Sequence, residues 1–327
     1  MTESRRDAAG LAVPKIDAAA EVEKIGAWIR DALAKQLSRR GLVVAISGGV
    51  DSAVCAALSV RAVGSKRVCG LLLPEHDSAS TSTERGESVA RRLGIDYAVV
   101  DIAPTLEAIG CYEQRDAAIR RVVPAYGTAW KSKIVLAGGL EGRLNHFLLV
   151  FQSPDGESGS VRLPLQEYLQ IVAATNFKQR IRKTLEYFHA DRLNYAVVGT
   201  PNRLEYDQGF FVKNGDGSAD IKPIAHLYKT QVYALAGYLG LPEEICTSVP
   251  TTDTYSLPQG QDEFYFALPY QEMDLALWAY EQGREPGELA TALGIEEERA
   301  AWVYRDIERK RSVARYLHKK ALVLETA

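Results

Sequence analysis

The spacing of apolar residues changes several times along the chain, and each change marks an element. Val22, Ile25, Ile29, Leu33 and Leu37 recur at helical intervals and predict a helix over Ala20–Leu37 that presents one apolar face. Leu42-Val43-Val44-Ala45-Ile46 follows, apolar without interruption and halted at Gly48-Gly49. So short a run with no polar side suits a strand covered on both faces. Helix returns over Val50–Val60, strand over Arg67–Leu73 before Pro74, helix over Ser82–Leu93 closed by Gly94, and strand over Tyr97–Ile102. Further on, Thr184–Ala190 ends a helix, Tyr195–Val198 makes a fourth strand, and Leu227–Leu239 is a helix closed by Gly240. Alternating strands and helices require parallel pairing and right-handed crossovers, so the expected class is α/β, a doubly wound and mostly parallel sheet.

Between Pro124 and Gln170 the alternation stops. His146–Val150, the turn-rich Pro154-Asp155-Gly156-Glu157-Ser158-Gly159 and Val161–Leu165 read as a β-hairpin. His146 there fits a packed or edge position better than a ligand. The stretch 124–170 is expected to be an insertion within one domain spanning 1–327, with a charged helical tail over 286–327.

With 327 residues, 46% hydrophobic and 25% charged, the chain can bury a sizeable core. A net charge of -3 argues against a nucleic-acid backbone as the main partner, since such binding rests on clustered Lys and Arg. Cys55, Cys69, Cys111 and Cys246 show neither disulfide nor zinc spacing and are expected to be reduced and mostly buried. MTESRRDAAG lacks the apolar core of a secretory signal, and no apolar run is long enough to span a bilayer. A cytoplasmic, membrane-free protein is expected.

The richest chemistry lies at Ser47-Gly48-Gly49-Val50-Asp51-Ser52, where the first strand opens into a helix. Backbone N–H groups and the helix dipole favour an anion there, glycines admit it closely, and Ser47 and Ser52 add hydroxyl donors. The segment lacks the Gly-Lys-Ser/Thr of a Walker loop. An acidic residue inside an anion site repels its ligand unless a metal intervenes, which makes Asp51 a candidate magnesium ligand. The bland alternative is an ordinary glycine-rich turn. These six residues match the SGGxDS signature of the N-type ATP pyrophosphatases, which form adenylates and release pyrophosphate.

Further segments are similar to one branch, the ammonia-dependent NAD synthetases. Asn176-Phe177-Lys178-Gln179-Arg180-Ile181-Arg182 resembles the family's Asn-x-Lys-Ala-Arg-x-Arg and makes Arg180 a substrate-binding candidate, while Arg182 and Lys183 read equally well as a solvated basic face. Val198-Gly199-Thr200-Pro201-Asn202-Arg203-Leu204-Glu205 follows the fourth strand; by resemblance Thr200 contacts ATP and Glu205 joins Asp51 on magnesium. The long run Gly209–Pro223 is close to GFFTKYGDGGAD and points Lys213, Asp216 and Asp220 at the dinucleotide. Leu227-Tyr228-Lys229 supplies the lysine for the ATP phosphates, Pro250-Thr251-Thr252-Asp253 a second threonine for ATP in Thr251, and Glu308-Arg309-Lys310-Arg311 a substrate lysine in Lys310.

The resemblance implies an adenine nucleotide alpha hydrolase-like fold, ATP and Mg2+, deamido-NAD and ammonia as reactants, and a homodimer. Lys229 and Asp51 carry the catalytic roles. No glutaminase portion is expected, because the stretch before Ser47 is shorter than the roughly 100 residues a second domain needs. The chain departs from the family at Pro201, at Arg309 and in the 124–170 insertion. Those departures leave room for another small carboxylate as the acid. A non-catalytic nucleotide binder would be expected to lose Asp51, Glu205 and Lys229 first, and all three are present.

Overall fold

The computed structural model describes residues 11–127, 129–137, 146–248, 254–260, 265–266 and 268–324. The elements run α1 (Ala18–Asp31), β1 (Leu42–Ala45), α2 (Val50–Val63), β2 (Val68–Leu72), α3 (Ser80–Leu93) and β3 (Asp96–Val99). Then come α4 (Ala103–Ala108), α5 (Cys111–Arg120), β4 (Lys131–Ala137), β5 (His146–Gln152), β6 (Ser158–Arg162), α6 (Leu165–Leu193) and β7 (Ala196–Val198). The rest is helical: α7 (Arg203–Gln208), α8 (Lys229–Tyr238), α9 (Glu243–Cys246), α10 (Tyr270–Glu281), α11 (Pro286–Leu293) and α12 (Glu297–His318). Among the described residues no helix is long and apolar enough to cross a membrane.

The main sheet has the order β3-β2-β1-β7, parallel throughout. Leu42, Val43 and Val44 of β1 are wholly buried because both faces carry helices. α1, α2, α3 and α8 cover one face over a core that includes Ile29, Val54, Leu58, Val89 and Leu235. α4, α5 and α6 cover the other through Leu106, Cys111 and Ala190 against Val43, Leu71 and Val197. After β1 the chain builds outward to β2 and β3, then returns on the far side of β1 as β7. The carboxyl ends of β1 and β7 therefore flank a crevice where the connections diverge, the place where open α/β sheets take ligands.

The hairpin foreseen over 146–165 gains a third strand. β4, β5 and β6 form an antiparallel sheet with Ile134 opposite Leu149, and both of these side chains are buried against Ile119, Ile171 and Tyr255. β4 escaped the sequence pattern because its Ile134-Val135-Leu136-Ala137 end does not alternate. The expected boundary at Gln170 also shifts, since α6 already begins at Leu165. This 29-residue helix runs about 43 Å at 1.5 Å per residue, so its first half projects past the main sheet to carry the second one. All four cysteines are free thiols, Cys55 and Cys111 buried and Cys69 and Cys246 half-buried.

Lys178 of α6 is 1% exposed, which for a lysine demands partners. Its Nζ lies 3.0 Å from Glu75 and 2.5 Å from Asp77, both on the loop after β2, and donates to the Thr254 carbonyl at 3.0 Å. Burial works to raise the Asp77 pKa, but Lys178 and Arg115 outweigh it and hold the carboxyl below its ordinary range. Lys178→Met should cost about 3–5 kcal/mol of stability, because it leaves Glu75 buried without its cation. Urea unfolding near neutral pH reads the loss, and a change below about 1 kcal/mol would show that the network contributes little.

Candidate active site

A cavity of about 920 Å³ opens at the divergence point between β1 and β7. Ser47–Ser52 forms its floor at the start of α2. Gly48 has φ +82, and a Cβ on it would overlap the Ser82 carbonyl oxygen, so the turn requires glycine. Ser52 Oγ accepts from the Ser47 N–H at 3.2 Å and donates to the Gly49 carbonyl at 3.0 Å, while the Ser47 and Ser52 hydroxyls lie 3.1 Å apart. Gly49 caps α2 without a side chain, leaving that helix terminus open toward the cavity, and Val50 is buried beneath it.

Facing this loop, Lys229 begins α8 and its buried ammonium donates to the Asp51 carboxylate. Burial opposes the lysine charge, yet Asp51 and Glu205 overcome it and raise the Lys229 pKa. Asn202 Nδ2 donates to Asp51 at 3.2 Å, and Asn202 and Glu205 close a capping box at the start of α7, each side chain accepting from the other's backbone N–H at 3.2 Å. Burial pushes the Cys55 thiol well up, and the fields of Asp51 and Glu205 add to it. These two carboxylates are hard oxygen donors beside an anion loop. Mg2+ binds through one or two carboxylates and completes its shell with water and phosphate, so the pair fits that ion.

The substrate candidates divide. Arg180 lines the cavity and its Nε donates to the Lys213 carbonyl at 3.4 Å. Lys213 also lines it, its Nζ donating to the Tyr316 and Lys319 carbonyls at 3.0 and 3.1 Å and lying 4.2 Å from the Tyr316 ring centroid. Lys310 reaches the wall paired with Asp306 at 2.5 Å, and burial depresses its pKa. Asp216 lines the cavity while accepting from the Val212 N–H at 2.7 Å, and burial raises its pKa. Thr200 lies on the wall; Thr251 lies outside the described residues.

Asp220 is not among the residues that line the cavity; its exposed carboxylate accepts from the Val197 N–H at 2.7 Å and from the Tyr187 hydroxyl at 3.4 Å, which fastens the strand. Of the two basic residues left open in the sequence, Lys183 is buried against Glu186 at 2.7 Å and Arg182 donates to the Leu73 carbonyl at 3.0 Å, so neither is a solvated face. Asn202 and Asp274 were missed. The spacing of Asn202 to Glu205 signals a helix cap and could have found the first. Nothing local marks Asp274, which accepts from the backbone N–H groups of Lys229 at 3.2 Å and Thr230 at 2.7 Å, forty-odd positions earlier in the chain.

The NAD synthase family model matches residues 21–124 and 160–316. An ammonia-dependent NAD(+) synthetase of Rhizobium meliloti (strain 1021) is 57% identical over 307 residues, 93% of this chain and 91% of that protein. Among solved structures, an NMN synthetase from Francisella tularensis matches with TM-score 0.66 at 22% identity, over 95% of this chain and 100% of that one. An NH3-dependent NAD synthetase from Campylobacter jejuni matches with TM-score 0.61 at 22% identity, over 95% and 100%. At such identity the two structures speak for the fold alone, the adenine nucleotide alpha hydrolase-like arrangement.

Burial raises the Asp274 carboxyl from its ordinary 3.8 to about 6, against the N–H donors that pull it down. A carboxyl whose pKa rises on folding holds its proton more tightly in the folded chain. Its stabilising contribution is complete below the unfolded value and is lost as pH rises through about 6. Asp274→Asn keeps an acceptor oxygen but cannot ionise. Between about pH 4 and pH 7 its stability relative to the parent should therefore improve by roughly 2 kcal/mol, read by urea unfolding at both ends. A difference that does not vary with pH would refute the assignment.

Proposed function

The chain belongs to the NAD synthase family, and on that premise we propose that it makes NAD from deamido-NAD, ammonia and ATP, with AMP and pyrophosphate as the other products. The observation that carries this reading is the meeting of the Ser47–Ser52 loop, Lys229 and the Asp51–Glu205 carboxylates at the divergence point of the sheet. An oxygen of the substrate carboxylate attacks the α-phosphorus of ATP. The bond to the β-phosphate oxygen breaks, and pyrophosphate leaves with that electron pair. Ammonia then attacks the acyl carbon, AMP departs with the carboxylate-derived oxygen, and a proton is released from nitrogen.

The N–H groups at the start of α2 and the hydroxyls of Ser47 and Ser52 receive the departing phosphates. Lys229, held at the start of α8 by Asp274, sets its positive charge where negative charge grows on the leaving group. Asp51 and Glu205 would hold Mg2+, which supplies electrostatic neutralisation of the polyphosphate when bound. Thr200 and Thr251 are assigned to ATP, and Arg180, Lys213, Lys310 and Asp216 to the dinucleotide. No side-chain nucleophile enters the route, so the rate comes from positioning and charge stabilisation.

The same reading makes 1–327 one catalytic unit, cytoplasmic and homodimeric. Leu165, Leu169 and Phe188, all exposed along α6, offer apolar surface for a second copy, and sedimentation velocity would settle the mass. The direct experiment incubates the protein with ATP, Mg2+, ammonium and deamido-NAD and measures NAD and AMP by chromatography. Equimolar NAD and AMP are expected; a folded, ATP-binding protein that yields no NAD would overturn the reading. Lys229→Met should lower kcat by roughly 10²–10³, with the melting temperature followed alongside.

A further inference from the structure

The family model passes over residues 125–159, which hold all of β4 and β5 and the first residues of β6. That added sheet does not hang off the surface. Leu136 near the end of β4 and Phe147 near the start of β5 line the catalytic cavity, beside Tyr168 and Val172 from the first turns of α6. Leu136 pairs opposite Phe147, and Ile134 opposite Leu149, two positions along. Side chains two apart share a face. The face that buries Ile134 and Leu149 on α6 therefore continues through Leu136 and Phe147 into the cavity wall. The Phe147 ring lies flat against Tyr168, centroids 3.9 Å apart and planes 12° from parallel.

The wall is held from its other edge as well. The Ser132 N–H donates to Ser256 Oγ at 2.9 Å, the Leu257 N–H to the Ser132 carbonyl at 3.2 Å, and Lys133 Nζ to the Pro258 carbonyl at 3.1 Å.

α6 turns this wall into one end of a measured length. Tyr168, Val172, Asn176, Gln179 and Lys183 all line the cavity at helical spacing, so one face of one helix passes from aromatic to apolar to amide to the Lys183–Glu186 pair, with the cations of Arg180 and Arg182 beside it. At 1.5 Å per residue, Tyr168 to Lys183 covers about 22 Å. The cationic end lies beside the nucleotide loop, because the neighbouring Arg182 donates to the carbonyl of Leu73, just past the carboxyl end of β2. The aromatic end is the one farthest from it.

We infer that Phe147 and Leu136 of the added sheet, with Tyr168, form a stacking wall for the base of the acid substrate remote from its carboxylate. The site thereby selects a dinucleotide acid over the corresponding mononucleotide. This role rests on the amidation proposed above. The carboxylate must meet the α-phosphate of ATP near Ser47–Ser52 and Lys229, so a bound dinucleotide runs its phosphates past the cationic part of α6 and its far base toward the aromatic part. A mononucleotide is too short to touch both. Bases stack on aromatic rings through their π-faces, whatever their hydrogen-bonding edge, so the wall measures length and planarity more than base identity.

Steady-state rates of the full-length protein with ATP, Mg2+ and ammonium test this, with deamido-NAD and nicotinic acid mononucleotide as alternative acids. Phe147→Ala should reduce the preference for the dinucleotide, taken as the ratio of the two kcat/KM values, by roughly tenfold. The change should reside in the KM for deamido-NAD, with the KM for ATP unmoved. Phe147→Leu keeps apolar volume for the core without the stack. It should show the same direction of change if the alanine variant fails to fold. A parallel loss with both acids, or a shift in the KM for ATP instead, would overturn the wall. So would an unchanged preference in a folded variant. If the parent itself makes no NAD from deamido-NAD, the amidation reading fails before any variant is compared; if it does, an unchanged preference condemns the wall alone.

Discussion

One buried cation–carboxylate contact, Lys229 with Asp51, organises the cavity. The two residues come from helices on the same face of the sheet, and neither charge tolerates burial alone. Their attraction fixes the start of α8 against the start of α2. That closure gathers Asn202 and Glu205 at the same place through the contact of Asn202 with Asp51. Three helix N-termini consequently converge on one crevice with their positive dipole ends: α2 leaves its first N–H groups uncapped there, while α7 is closed by the Asn202–Glu205 box and the first N–H groups of α8 are taken by Asp274. A polyanion is the ligand such a concentration of positive field suits. Asp51 and Glu205 are the carboxylates that would hold a divalent ion beside it.

The sheet topology explains why this convergence happens where it does. Strand β1 is the pivot: helices on one face and helices on the other both deliver their loops to its carboxyl end. Residues distant in sequence meet there without strain because every connection in the sheet is a parallel crossover. The same geometry leaves α6 long enough to leave the sheet behind, and the added strands settle on the part that projects.

Much of this was legible from residue spacing. The four parallel strands and the glycine turn follow from local patterns, because a buried strand or a tight anion loop constrains each residue it contains; the stretches around Thr200, Lys213 and Lys229 were picked out by their resemblance to the family alone. Long-range satisfaction was not legible. Asp220 sits in a run that reads as ligand-binding, and only the fold shows its carboxylate occupied by the Val197 N–H. Lys178 looks like one more cation in a basic helix until Glu75, Asp77 and Thr254 close around it. Asp274 serves the first turn of a helix to which no sequence rule connects it. Strand β4 hides because its inner and outer faces are both apolar at one end.

The Lys178 knot also bears on how the cavity breathes. It joins α6, the loop after β2 and the backbone at Thr254, three segments that are separate in the chain and border the same opening. Displacing α6 or the loop after β2 would separate Lys178 from the buried carboxylates of Glu75 and Asp77, so the movements of these two segments are coupled. An acyl adenylate is destroyed by water, and a border whose segments are tied to one another would shelter such an intermediate better than independent loops.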